Sequence, residues 1–433
     1  MIFEEWEEVR LQDVILFNPP EKIKKGTTSK KIGMEKLNSF QRKIEGFELT
    51  EYKSGTKFRN GDTLLARITP CLENGKTAQV TILDDNEVGF GSTEFIVMRE
   101  IEGVTDKDFI YYLSISPNIR DIAIKSMTGT SGRQRAQIDV IKNSKVFLPP
   151  LHEQKVIANT LLSLDKKIEV NNEINNRLEE TARAIFKQWF IDFEFPNNSG
   201  EPYKSSGGKM VESELGMIPN DWEITTFRSL TNNVLGGDWG KENSQGNYNK
   251  AVYCLRGADI PEVSEGRKGS LPKRYILEKN YLNKKLENGD LVVEISGGSP
   301  TQSTGRITYI NDLLLSKYEE DFVCTNFCRA ITLKDPIYMY FFYFYWKMLY
   351  DLNVFFQFEN GTTGIKNLDI NSFLDRYHIV FPSKDLIKRF DELVRPLINS
   401  IQMNGNENLK LTKTRDTLIP KLVTGAIRVP IKN

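Results

Sequence analysis

Histidine is almost absent: the 433 residues include only His152 and His378. A histidine general base or an imidazole metal site therefore has little to draw on. Cysteine is scarce too, and Cys71, Cys254, Cys324 and Cys328 are too few and too scattered for a disulfide framework. No other thiol or histidine lies near the Cys324–Cys328 spacing in sequence, which points to buried free thiols and no bound metal. Net charge is nil, with 58 basic and 58 acidic residues, which argues against a surface coated in positive charge. No run of 18 apolar residues exists. The richest stretch, YMYFFYFYWKMLY at 338–350, is short and broken by Lys347, and the start MIFEEWEE is too acidic for a signal peptide. The expectation is a soluble, cytoplasmic protein with no membrane span.

Catalytic motifs are equally sparse. Asn-Pro-Pro-Glu at 18–21 resembles the Asn-Pro-Pro-aromatic element of DNA amino-methyltransferases, but Glu21 replaces the aromatic residue and no glycine-rich cofactor loop follows elsewhere. GGSPTQSTGR at 297–306 lacks the Gly-Lys-Ser/Thr ending of a nucleotide P-loop, so its glycines and hydroxyls suit an exposed loop. What remains is a long chain with 39% hydrophobic residues, enough for two or three domains, each with a core of its own. Charge is uneven along it: residues 241–285 hold ten Lys or Arg against five Asp or Glu, which leaves room for a local basic face.

The organisation emerges when the chain is compared with itself. Ile157, Leu161, Leu164, Ile168, Asn171, Asn175, Leu178, Ala182, Ile185 and Trp189 follow alternating steps of four and three, the spacing of a helical stripe that faces a partner helix. Adding 233 to each number gives Phe390, Val394, Leu397, Ile401, Asn404, Asn408, Leu411, Arg415, Leu418 and Leu422. Two asparagines interrupt both stripes at the same two places. If the helices pair side by side, these amide layers meet, hydrogen-bond and fix the register at some cost in stability. Each seam spans roughly 50 Å at 1.5 Å per residue, so the pair serves as a ruler between two globules.

Upstream, FRNGD at 58–62 recurs as LENGD at 286–290, a turn whose glycine needs positive φ, followed each time by an apolar strand (TLLARI, LVVEI). Asn74-Gly75-Lys76 is echoed by Thr304-Gly305-Arg306, STEF at 92–95 by CTNF at 324–327, TGTSGRQRAQI at 128–138 by NGTTGIKNLDI at 360–370, and FLPP at 147–150 by VFPS at 380–383. Trp6, Leu11 and Val14 match Trp222, Phe227 and Leu230. The chain is one unit used twice, a strand-rich globule and then a long helix, with the polar stretch PNNSGEPYKSSGGK at 196–209 joining the copies.

LPPLHEQKVIANTLLSLDKKI at 148–168 with LEETARAIFKQWFIDFEFP at 178–196 resembles the central conserved region of type I restriction-modification specificity subunits. LTKTRDTLIPKLVTGAIRV at 411–429 resembles their C-terminal one, and NGDTLLARITPCLENGKTAQV at 60–80 with GFGSTEFIVMR at 89–99 is similar to one of their target-recognition domains. The likeness covers essentially the whole chain. It implies an α+β fold: two similar strand-rich target-recognition domains separated by two long antiparallel coiled-coil helices, an internal pseudo-repeat. The expected boundaries are 1–150 for the first recognition domain, 151–195 for the central helix, 196–382 for linker and second domain, and 383–433 for the C-terminal helix. Resemblance also implies a non-catalytic DNA-specificity subunit. Each globule would read half of a bipartite double-stranded site, and the helices would dock methylation subunits, two of them expected, and through them the restriction motor-nuclease. This chain would bind no cofactor, S-adenosylmethionine sitting on the methylation partner. VFPSKDLIKRF at 380–390 departs from the pattern in lacking the Glu-Gln pair, so the second junction is expected to contact partners differently.

DNA contacts are expected from the repeated loops: Arg67, Thr69, Asn74, Lys76, Thr93, Arg133, Gln134 and Arg135 in the first globule, and Lys241, Thr301, Gln302, Ser303, Arg306, Asn326, Thr363, Lys366 and Asn367 in the second. Arg, Asn and Gln can make paired hydrogen bonds to base edges, and Lys, Ser and Thr suit phosphates. Asn171, Asn175, Asn404 and Asn408 are the register residues. Val156, Ile174, Phe186, Phe190, Phe193 and Ile419 widen the apolar stripe and are the expected partner surface. Two alternatives stand beside this reading: a coiled-coil scaffold that binds protein only, and a stand-alone nuclease using Asp62, Glu73 and Glu94 or Asp290, Glu294 and Glu319.

Overall fold

The structure, a computed structural model, describes residues 5–297, 299, 301–361 and 366–430. The chain divides into two compact units, one built from the residues up to Glu169 together with those from Lys410 onward, the other from Val170–Leu409. Each long helix therefore contributes to both units, a partition that boundaries drawn at the helix ends do not describe. The reason is that the two ends of each helix are buried in different cores.

In the first unit, the strands Ile15–Phe17, Phe95–Glu100, Thr63–Ala66 and Thr77–Gln79 form a four-stranded antiparallel sheet in that spatial order. A second sheet runs Glu48–Glu51, Thr28–Ile32, Gly89–Gly91, Thr56–Phe58, with a parallel pair at its centre. The strand TLLA at 63–66 is buried on both faces, as a strand with no polar alternation should be. Leu64 packs with Phe58 and Val97 between the sheets, while Leu65 faces Ile96, Phe109, Ile157 and Leu161 on the helical side.

The second unit repeats this plan. Its first sheet runs Thr231–Gly236, Cys328–Leu333, Leu291–Glu294, Ile307–Tyr309, and its second runs Lys273–Leu277, Tyr248–Leu255, Phe322–Cys324, again with one parallel pair. The aromatic stretch that stood out in sequence is the helix Met339–Asp351, with Tyr340, Phe341, Phe342 and Trp346 fully buried. Lys347 breaks its hydrophobicity because it pairs with Glu179 on the central helix.

The likeness extends to individual backbone hydrogen bonds. Gly61 donates to Val80 O as Gly289 does to Ile310 O, Ala66 to Lys76 O as Glu294 does to Arg306 O, and Ala136 to Arg67 O as Leu368 does to Ile295 O. Gly61 and Gly289 sit at φ +93° and +102°, the left-handed region that the turn demands and glycine reaches without steric cost. One sequence alignment shifts. Phe95 donates to Ser92 O and Cys328 to Thr325 O, so Glu94 corresponds to Phe327, one residue away from the STEF–CTNF match. Local similarity misled because both copies carry a phenylalanine in this turn.

The long helices are Leu151–Phe190 and Lys384–Val423, 40 residues each, about 60 Å at 1.5 Å per residue. In the second unit they run antiparallel, with Asn171 opposite Asn408 and Asn175 opposite Asn404. In the first unit Asp165 lies opposite Arg415, the same register. Gly405 is needed where it stands: a Cβ there would lie 1.8 Å from the Gly266 carbonyl oxygen.

Candidate nucleic-acid interface

Three segments of the first unit converge. Arg67 N–H donates to Glu94 O at 3.0 Å, Thr69 N–H to Gln134 O at 3.0 Å, and Ala136 N–H to Arg67 O at 2.8 Å. This brings Arg67, Thr69, Thr93, Arg133, Gln134 and Arg135 onto one loop cluster, with Thr93, Arg133 and Arg135 exposed. Arg135 is held by Glu94: Nε lies 2.9 Å from both carboxylate oxygens and Nη2 2.7 Å from Oε1. That hydrogen bond, with the charge of Glu94, raises the guanidinium above its ordinary pKa. Arg67 Nε and Thr69 Oγ1 are buried without a hydrogen-bond partner among the described residues.

Lys76 is a correction. Its ammonium turns inward to the Met34 carbonyl at 2.9 Å, because that carbonyl needs a donor in a part-buried site. Asn74 stays exposed at the turn, beside Arg120, which donates to Glu73 O at 3.1 Å and lies over the Phe40 ring. The sequence reading did not include Arg120, since nothing in a helix reading PNIRDIAIK marks its tip as reaching the Asn74 turn.

In the second unit the strand Ser296–Gly297 pairs with Lys366–Leu368, so Ser296 and Asn367 meet, the hydroxyl donating to the amide oxygen. Thr301, Gln302, Asn326 and Asn367 are exposed, and Lys241 is exposed with its ammonium over the Tyr248 ring at 5.6 Å. Thr363 lies outside the described residues. Ser303 is 2% exposed and is corrected from phosphate ligand to core residue. Arg306 is also corrected: its Nε lies 2.7 Å from Glu294, a carboxylate buried beneath it, and a buried charge must keep its partner. Lys366 is paired with Glu359 at 3.1 Å and lies over the Phe356 ring.

Beside these loops a cleft of about 440 Å³ is lined by Trp239, Arg256, Arg306, Asn326 and Phe327 among others. Phe327 is 59% exposed and Trp239 37%, a pair of accessible rings that no motif or periodicity singles out. Four of the six carboxylates of the nuclease alternative, Asp62, Glu94, Asp290 and Glu294, are engaged elsewhere. Arg99 grips Asp62 through two bonds of 2.6 and 2.7 Å, Arg135 holds Glu94, and Arg306 holds Glu294. Asp290 accepts from the Glu287 N–H and the Thr332 hydroxyl, and its burial raises its pKa. Burial likewise pushes the Cys254 and Cys328 thiols up to about 12, and all four cysteines are free.

The asparagines of the helix seam meet in the second unit. Asn171 Nδ2 donates to Asn408 Oδ1 at 2.9 Å and to Glu407 at 2.8 Å, Asn404 Nδ2 to Asn175 Oδ1 at 2.8 Å, and Asn408 Nδ2 to Asn172 Oδ1 at 2.9 Å. The expected partner surface fares differently. Phe186, Phe190 and Ile419 are 2%, 1% and 4% exposed. Phe186 and Phe190 pack on Phe341 and Phe390, and Ile419 sits in the core of the first unit. Val156 and Phe193 are partly buried against the same cores. These side chains widen the stripe because the globules cover it. Ile174 remains 41% exposed, and Val170, Leu393 and Met403 join it as open apolar positions on the helices.

The Glu-Gln pair after Pro150 proves internal. Glu153 is fully buried and receives Trp6 Nε1 at 3.0 Å and Arg428 at 2.7 Å. Gln154 bonds Val104 O, Pro149 O and the Asp106 N–H. At the repeated positions Leu386 and Ile387 are buried in an apolar core, which explains the missing pair without invoking a partner.

Residues 3–180 match the family model described as type I restriction modification DNA specificity domain. The chain is 24% identical over 425 residues to the type I restriction enzyme HindI specificity subunit of Haemophilus influenzae, covering 85% of this chain and 87% of that one. It is 26% identical over 340 residues to the MjaIX specificity subunit of Methanocaldococcus jannaschii, covering 74% and 69%. Its fold is similar to the type I restriction-modification S subunit from M. genitalium, with a TM-score of 0.54 at 15% identity over 97% and 96% of the two chains.

Proposed function

Because this chain belongs to the type I restriction-modification specificity subunits, we propose that it reads a bipartite DNA sequence, each unit recognising one half through its converging loops. It is the DNA sequence-specificity subunit of such a complex. The observation that carries the division of labour is the repeat: two units share a backbone hydrogen-bond frame yet present different polar side chains on equivalent loops. A frame kept while its tips change is what two readers of unlike sequences require.

In this reading the chain does no chemistry. Methylation subunits, two per chain, dock on the helices around Val170, Ile174, Leu393 and Met403, carry S-adenosylmethionine, and bring in the restriction subunits. The helices set the separation of the half-sites, and the asparagine layers prevent a heptad slip that would change it.

The test uses the complex with its methylation subunits and duplex DNA. Binding should weaken steeply with salt, and Arg133, Gln134 and Arg135 replaced together by Ala should weaken it further at low salt. Salt-independent binding, or full affinity in the triple variant, would count against DNA reading by these loops. The ruler has its own readout. Seven residues inserted after Glu169 and seven after Leu409 enter at facing positions, since residue numbers across the pair sum to about 579. Insertion after Asn176 would instead part Asn171 and Asn175 from their partners' layer. The added rise is roughly 10 Å, so the selected spacer should grow by about three base pairs with both half-sites unchanged; an unchanged spacer would sink the idea.

A further inference from the structure

The equivalent positions Glu94 and Phe327 split the two readers chemically, and their neighbours agree with the split. In the first unit Glu94 engages the Nε–Nη2 edge of Arg135. Nη1 makes no hydrogen bond among the described residues, so the outward Nη edge is preset for two parallel bonds. A planar donor fork fixed from behind fits the two acceptors, O6 and N7, that guanine offers in the major groove. In the second unit the position of Arg135 is taken by Asn367, exposed and steadied by Ser296. The position of Glu94 is taken by the open ring of Phe327. An amide can donate to N7 and accept from N6 of adenine, and an apolar ring suits the methyl group of the paired thymine.

We propose that Arg135, buttressed by Glu94, specifies a guanine in the first half-site, and that Asn367 with Phe327 specifies an A·T pair in the second. The inference rests on the DNA-reading function above and adds which base class each unit takes.

Preferred sites are selected from random duplexes by the complex carrying the parent chain or single variants. Arg135→Lys keeps the charge and loses the fork, so preference for one guanine in one half should fall on the order of 10- to 100-fold while the other half is unchanged. Glu94→Gln should relax the same position. Asn367→Ala should relax an adenine in the opposite half by a similar factor. Replacing its partner thymine with deoxyuridine, which lacks the 5-methyl group, should weaken the parent roughly four-fold and leave Phe327→Ala indifferent. If the parent selects no sequence, the DNA-reading function itself fails and this assignment with it. If the parent selects a split site but Arg135→Lys relaxes a base other than guanine, lowers all sites equally, or changes nothing, the base assignment is overturned while the function stands. Asn367→Ala acting on the same half as Arg135→Lys would overturn it too.

Discussion

The two units share strand order and backbone hydrogen bonds, yet they solve the same internal positions with opposite chemistry. In the first, Arg415 donates to Asp165 at 2.6 Å, Tyr112 donates to the other carboxylate oxygen at 2.6 Å, and all three groups are buried. The repeated positions in the second unit are Ala182, Ile398 and Phe344, all buried and all apolar. Near the helix ends, Trp6, Glu153 and Arg428 make a charged clamp in the first unit. The second has Trp222, Leu386 and Phe195, with Phe195 stacked on Trp222 at 5.2 Å. The lesson is that this frame tolerates either an ionic or an apolar filling, provided each set of groups is complete.

Phe190 separates the units most sharply. It lies among Phe186, Trp222, Phe341 and Phe390, whereas its repeat position is the smaller Val423, equally buried. Phe190→Asp should cost more than about 5 kcal/mol and unfold the second unit, since it removes a large core ring and buries an unpaired charge. Circular dichroism and limited proteolysis would show this. A folded chain that merely fails to assemble with methylation subunits would return Phe190 to the partner surface.

Breaking the ionic filling comes next. Arg415→Ala leaves Asp165 buried and half-satisfied, and should lower the unfolding free energy by about 3–5 kcal/mol. Grafting the second unit's solution, Asp165→Ile with Arg415→Ala and Tyr112→Phe, should recover most of that loss. Denaturant unfolding of the full chain decides between them, and a graft no better than the single variant would show that the two fillings are not interchangeable.

The smallest effect sharpens the comparison through pH. Lys317, in the second unit only, donates to Gly266 O and Gln402 Oε1, both at 2.6 Å, and burial lowers its pKa from 10.5 to about 8. Below pH 8 folded and unfolded chains both hold the proton, so this group gives no pH dependence. Between about 8 and 10.5 the unfolded chain binds a proton that the folded one has released, so stability contributed here rises with pH. Lys317→Met should flatten that rise, read as the difference between thermal midpoints of parent and variant across the window. Parallel profiles would mean that the ammonium is better solvated than its burial implies.

Much of this molecule was legible in its sequence. The stripes of alternating four and three steps, the asparagines 233 residues apart and the Asn-Gly-Asp turns all express local periodicity or a backbone requirement at one glycine, and such features need no knowledge of distant neighbours. Local rules also identified the loops that converge around Arg67, Arg135 and Asn367, since the repeat pairs each loop with its equivalent. Tertiary structure alone decided which side chains on those loops stay available. Lys76 and Arg306 resemble Arg133 in sequence, but a lone carbonyl claims one and a buried Glu294 the other. Phe190 and Ile174 both broaden the helix stripe, yet one is covered and the other open. The Glu-Gln pair reads as a signature and turns out to be a clamp. Each of these outcomes depends on what lies across a space the chain closes only by folding, where a buried donor, acceptor or charge must find its partner or forfeit its hydration.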